Sequence, residues 1–378
     1  MSVKLKDICT VVSGSTPKSG NPEYWDGDIN WITPAELNED SDVIYESQRK
    51  ITEKAVKETS LKPFPAGTVI LSSRAPIGKV AIAGAEMYCN QGFKNLICSD
   101  AVYNRYLYHF LKSKTELLNS LGRGATFKEI SKGIVENVEI PLPAYGEQKK
   151  IASVLDKINS LILIRRKQLE KLDTLVKSRF IEMFGEGFPT VTVLSVCDAI
   201  VDCPHATPKY LGDELIYPAI RTSEICNGQI EWSSMKYVDK TEYDERTKRL
   251  VPEPGDIVYA REGTYGDCVI IPEEIRFCLG QRTMLFRPNY SLCTSEYLHQ
   301  VLRSDNVKRQ ADESNAGSTV PHVNVADAKA FKIQLPPIEL QNQFTYFVKQ
   351  VNQSKLVIQA SLSKLETLKK SLMQEYFG

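Results

Sequence analysis

The chain has 378 residues, 42% of them apolar and 25% charged, enough for two domains built around hydrophobic cores. That composition excludes a disordered, collagenous or disulfide-stapled chain, and no apolar run approaches the ~18 residues of a membrane span. Lys and Arg number 47, as do Asp and Glu, so the chain lacks the basic excess of a nucleic-acid binder acting alone. Residues 1–185 carry 26 basic and 22 acidic side chains and residues 186–378 carry 21 and 25, so any DNA reader must gather its cations on one face or lean on a partner. Nine scattered cysteines without a C-x-x-C pair, and an MSVKLKDICT start without a secretory apolar core, predict reduced thiols and a cytoplasmic protein without membrane attachment.

Residues 1–146 read as a mixed region, with strand-like runs at Thr68–Leu71 and Val80–Ala83 punctuated by Gly and Pro. It closes on Val138-Glu139-Ile140-Pro141-Leu142-Pro143, and residues 147–185 follow as a stretch free of Pro and Gly up to Gly185, the punctuation of a long helix. Residues 186–339 repeat the mixed pattern, with strand-like runs at Ile257–Ala260 and Cys268–Ile271 and a close at Phe331-Lys332-Ile333-Gln334-Leu335-Pro336-Pro337. Residues 340–378 form the second predicted long helix.

This order is a duplication. Residues 124–185 align without a gap with residues 317–378 at a constant offset of 193, matching Gln148 with Gln341 and Phe184-Gly185 with Phe377-Gly378. Upstream, Gly67 parallels Gly255 and Gly78 parallels Gly266 at an offset of 188. A duplicated chain carries a pseudo-two-fold axis. The fold class is therefore α/β in the mixed α+β sense, with two tandem domains separated by two long helices.

Apolar residues in the first helix recur at alternating intervals of three and four, through Ile151, Leu155, Ile158, Ile162, Leu169, Leu172, Val176 and Met183; in the second, through Phe344, Val348, Val351, Ile358, Leu362, Leu365, Leu372 and Tyr376. That is a coiled-coil seam of about five heptads, a rod of roughly 50 Å. Cations interrupt it at Arg165 and Arg179 in one copy and at Lys355 and Lys369 in the other, at non-equivalent steps, so pairing the two copies within one chain is the economical solution.

Catalytic signatures are missing from the sequence. It has no P-loop, Rossmann fingerprint, nucleophile elbow or Asn-Pro-Pro-aromatic run, and His109, His205, His299 and His322 lack metal-ligand spacing. Polar and basic residues gather instead in Gly/Ser/Thr/Pro loops of both halves. In the first half they are Thr16, Lys18, Ser73, Arg74, Gln91, Lys94, Arg123, Thr126 and Lys128; in the second, His205, Thr207, Lys209, Arg221, Arg261, Gln281, Arg282, Ser318 and Thr319. Arg reads guanine edges and Gln reads adenine, while Ser, Thr and loop N–H groups hold phosphates, so these are candidate DNA contacts. For any single loop the alternative is ordinary turn chemistry.

The opening Gly14-Ser15-Thr16-Pro17, Asn21-Pro22-Glu23-Tyr24-Trp25, Gly27-Asp28-Ile29 and Trp31-Ile32 resembles the start of a type I restriction–modification specificity (S) subunit. The Gly255-Asp256-Ile257-Val258 run before Arg261, the Ile140-Pro141-Leu142-Pro143 run leading to Glu147-Gln148, and Pro204-His205-Ala206-Thr207-Pro208-Lys209-Tyr210 resemble further features of that family. The second copy departs from it, with Leu340-Gln341 for Glu147-Gln148 and no Tyr-Trp feature. The resemblance implies target-recognition domains at 1–146 and 186–339, each reading one half of a bipartite asymmetric site in double-stranded DNA. It implies that the helices at 147–185 and 340–378 pair as an antiparallel intramolecular coiled coil, serving as spacer and as dock for two methyltransferase (M) subunits. Restriction (R) subunits complete such a complex. The chain itself would be non-catalytic and hold no cofactor or metal, with S-adenosylmethionine, ATP and Mg confined to the partner subunits. A recognition subunit whose partner fuses methyltransferase and nuclease, or a non-DNA scaffold carrying two binding domains, are the alternative readings.

Overall fold

The computed structural model describes residues 2–59, 61–74, 76–124, 128–211, 217–263, 265–273, 275–314 and 322–378. Two compact units divide the chain: one takes residues 1–166 and 359–378, the other residues 167–358.

In the first unit, strands Cys9–Ser13, Lys94–Cys98, Val69–Leu71, Val80–Ala83 and Val43–Ile44 lie side by side in that order. A smaller sheet sets Trp25–Ile32 between Lys50–Ile51, its antiparallel partner, and Tyr88–Cys89, its parallel partner. The Val69–Leu71 and Val80–Ala83 strands are buried throughout, and helix Asn104–Ser113 covers the sheet with Tyr106, Leu107, Phe110 and Leu111. The short apolar segment before the long helix becomes strand Glu139–Pro141, paired antiparallel with Ser2–Lys4.

The second unit repeats this skeleton. Strands Cys197–Asp202, Thr283–Pro288, Ile257–Ala260 and Cys268–Ile270 form its main sheet, and Tyr217–Ile220 lies between Lys236–Val238, antiparallel, and Cys278–Leu279, parallel. Lys332–Gln334 pairs antiparallel with Thr190–Thr192, and helix Ser295–Leu302 buries Tyr297, Leu298 and Leu302. The glycines matched in sequence serve matched turns: Gly67 and Gly255 have φ of 87° and 90°, Gly78 and Gly266 of 95° and 91°. An L side chain rarely adopts that backbone.

The long helices span Tyr145–Phe184 and Ile338–Phe377, 40 residues each and ~60 Å at 1.5 Å per residue. Every position of the expected seam is buried or half-buried. Within the first unit, Arg165 Nε donates to Ser361 Oγ at 3.3 Å and Arg166 Nη2 to Glu366 Oε1 at 3.0 Å, while Ile151, Ala152 and Leu155 share a core with Leu372, Met373 and Phe377. Residue numbers fall along one helix as they rise along the other, so the packing is antiparallel. The second unit shows the same sense: Lys355 pairs with Asp173, and Val176, Phe180 and Phe184 pack with Phe344, Val348 and Val351. Of the other intruding cations, Arg179 pairs with Glu182 of its own helix at 2.9 Å. Lys369 stands half-buried near Lys112; burial pushes both ammonium groups down, aided by the Lys369 charge for Lys112, which falls to about 8, and by the Arg166 charge for Lys369.

A buried glutamine ties the first turn of each long helix to its unit. Gln148 accepts from the Tyr103 N–H at 2.8 Å and donates to the Ala101 and Pro143 carbonyls, both at 3.0 Å. Gln341 accepts from the Thr294 N–H at 2.9 Å and donates to Leu292 O at 3.0 Å and Pro336 O at 2.8 Å. An amide supplies both donor and acceptor, so one side chain satisfies three backbone groups at the junction of helix and unit.

Candidate nucleic-acid interface

In each unit the strand bearing the predicted Gln loop lies next to the strand that leads into the predicted Thr loop. Lys94–Cys98 pairs with Cys9–Ser13, and Thr283–Pro288 with Cys197–Asp202. The loops continuing from those strands therefore meet. Thr16 Oγ1 donates to Gln91 Oε1 in the first unit, and Gln281 Nε2 donates to Thr207 Oγ1 at 2.7 Å in the second. Both threonines precede a Pro-Lys step, and the two pairs occupy corresponding places in the repeat.

Around the first pair, Lys18, Arg123 and Lys128 are exposed and Arg74 is half-buried. Arg123 is held by its backbone, exchanging N–H···O bonds of 3.0 and 2.9 Å with Glu129. Around the second pair, His205, Lys209 and Arg282 are exposed. Arg282 adopts φ 62°, a conformation that costs a non-glycine residue about 1–3 kcal/mol and recurs at functional sites. Its Nε lies 3.0 Å from Glu262. His205 Nε2 stands 4.0 Å from Asp202.

Four predicted residues are enclosed by the fold instead. Ser73 is fully buried and accepts from Lys94 Nζ at 3.3 Å; Lys94 is 7% exposed and ion-paired with Glu129 at 3.1 Å. The side chain of Arg261 is 13% exposed, with Nη1 paired to Asp202 and Nε donating to Val323 O at 3.1 Å. Arg221 grips the buried Glu224, with Nε and the backbone N–H each donating to Oε2 at 2.9 Å, and that carboxylate raises the guanidinium pKa. Sequence reading missed Glu129, Asp202 and Glu224. Glu129 and Asp202 stand 35 and 59 residues from the cations they neutralise, beyond any local spacing rule. Thr126, Ser318 and Thr319 lie outside the described residues.

A sequence profile described as the type I restriction modification DNA specificity domain matches residues 1–174 and again residues 208–367. The chain is 48% identical over 189 residues to the type I restriction enzyme MjaIX specificity subunit of Methanocaldococcus jannaschii, covering 49% of this chain and 44% of that protein. It is 25% identical over 303 residues to the MjaVIII specificity subunit of the same organism, covering 74% and 70%. The first of these matches thus spans less than half of the relative's length. A crystal structure of the type I restriction-modification S subunit from M. genitalium shares the fold over 100% of this chain and 96% of that one, with a TM-score of 0.57 at 16% identity. With the domain matched twice, once in each half, the chain belongs to the type I restriction modification DNA specificity family.

Proposed function

We propose that the chain is the DNA-reading, non-catalytic subunit of a type I restriction–modification complex, each unit recognising one half of a bipartite asymmetric target. The observation that carries this reading is the Thr–Gln pair, present at corresponding loops of both units with unlike residues beside the two glutamines. Equivalent frames with unlike surroundings suit the reading of two different half-sites. Gln91 and Gln281 are the base readers of this account, a glutamine amide matching the donor and acceptor of adenine. Thr16, Lys18, Arg74, Arg123 and Lys128, with His205, Thr207, Lys209 and Arg282, contact the backbone and neighbouring bases. Ser73, Lys94, Arg221 and Arg261 support the loops from beneath.

The long helices serve as spacer and as dock for two methyltransferase subunits, to which restriction subunits attach. S-adenosylmethionine, ATP and Mg act in those partners, within the cytoplasm. Clamping by the partners supplies the phosphate affinity that a chain of zero net charge lacks. The test is co-expression with the neighbouring methyltransferase in a modification-free host, followed by sequencing for methyladenine. Two short unlike half-sites at a fixed gap are expected. No methylation from a soluble complex with an active methyltransferase would refute the assignment.

A further inference from the structure

We infer that Trp31 in the first unit and Arg246 in the second are positioning residues for target reading, each holding the carbonyl just before the loop threonine. The inference rests on the function proposed above. Ser15 and Ala206 occupy the same step, immediately ahead of Thr16-Pro17-Lys18 and Thr207-Pro208-Lys209. Trp31 is buried, and its indole Nε1 donates to Ser15 O at 3.1 Å. Trp25, edge-on to it at 5.0 Å, donates from Nε1 to Lys18 O at 3.3 Å, and the Arg49 guanidinium lies 4.0 Å over the Trp25 ring. Two indole N–H groups thus bracket the loop on both sides of Thr16.

The second unit reaches the equivalent carbonyl with different chemistry. Arg246, 5% exposed on helix Lys240–Arg246, sends Nη2 to Ala206 O at 2.8 Å. Its Nε is ion-paired with Glu242 at 3.3 Å without the alignment of a hydrogen bond, and among the described residues Nε and Nη1 have no hydrogen-bond partner. Burying a guanidinium with two of its nitrogens making no hydrogen bond to the described residues is costly, and an i, i+4 ion pair alone would not need that burial. A charged anchor that donates to the loop carbonyl from 40 residues away explains its presence. A loop held in its reading geometry before DNA arrives loses less freedom on binding, so the anchor acts on discrimination without touching a base.

The test compares Trp31→Phe, which keeps an aromatic ring and removes the N–H, with Arg246→Lys. Each is assembled into the full methyltransferase complex and assayed on targets mismatched at one base in one half-site or the other, with melting temperature followed in parallel. Trp31→Phe is expected to relax discrimination about fivefold in one half-site, the equivalent of one ordinary hydrogen bond, and to leave the other half-site unchanged. Arg246→Lys is expected to relax the opposite half-site. If Arg246→Lys does not fold, Trp31→Phe decides alone. Equal relaxation of both half-sites, or none in either beside a lowered melting temperature, overturns the inference. A wild-type complex that directs no split motif fails the functional reading itself, whereas a split motif read identically by the variants fails the inference alone.

Discussion

The two units build one skeleton and finish it differently. Both place their strands in the same order, tie a long helix down with a buried Gln, and join a Thr loop to a Gln loop. The first unit adds the short Val43–Ile44 strand and steadies its Thr loop with two indoles; the second steadies its loop with a buried guanidinium. What repeats is the geometry that presents the loops. What varies is the chemistry beneath and around them, as expected if the frames are shared and the sequences read are not.

The largest effect should come from the element both units share. Deleting one heptad from each long helix, in register, is expected to change the gap of the methylated motif and keep the bases of both half-sites. Methylome sequencing that recovers the original gap would remove the helices as spacer. Next come the glutamine anchors. Gln148→Leu and Gln341→Leu each remove the side-chain partner of three backbone groups, more deeply buried around Gln341 than around Gln148, and should cost roughly 1–3 kcal/mol apiece. Denaturant titration checks this, and a large effect in one copy with none in the other would break the equivalence.

A third comparison uses the histidines buried in the matching helices. In the second unit, burial and the nearby Arg303 charge push His299 down to about 4, its Nε2–H donating to Cys268 O at 3.0 Å. In the first unit burial also lowers His109, opposed by its contact with Asp156 at 2.7 Å. An unfolded histidine titrates near 6.5, so between pH 4 and 6.5 the unfolded state binds the extra proton. His299 then contributes stability above pH 6.5 that is lost as pH falls toward 4, roughly 3 kcal/mol in all. His299→Gln should flatten the acid limb of a stability–pH curve more than His109→Gln, and equal flattening would contradict the assignment.

The smallest effect concerns the seam. Lys369 of the first unit corresponds to the buried Val176 of the second and stands near Lys112. Lys369→Val is expected to raise stability by about 1 kcal/mol, through added apolar burial and relief of like charge. A drop in melting temperature would show that the ammonium is needed there.

Much of this architecture was legible in the residues. Alternating intervals of three and four between a Pro and a Gly announce a helix of forty residues because burial of one stripe demands that spacing. Gly67, Gly78, Gly255 and Gly266 mark turns whose backbone other residues rarely adopt. The candidate contacts were legible as loops and less so as individual side chains. Lys94 and Arg261 look like Lys18 and Arg123 in sequence, yet the first two are neutralised by acids brought near through strand pairing and loop closure. The Trp31 and Arg246 anchors were hidden for a related reason: the acceptor in each case is a main-chain carbonyl, which carries no sequence signal.

The central claim is that each unit reads its own half-site through its Gln loop. Gln91→Ala and Gln281→Ala, made separately and assembled with the methyltransferase, should be compared by methylome sequencing with the wild-type complex. The account predicts that Gln91→Ala broadens the base preference of one half-site only and Gln281→Ala that of the other. Both variants altering the same half-site, or both lowering methylation uniformly without changing the motif, would contradict it.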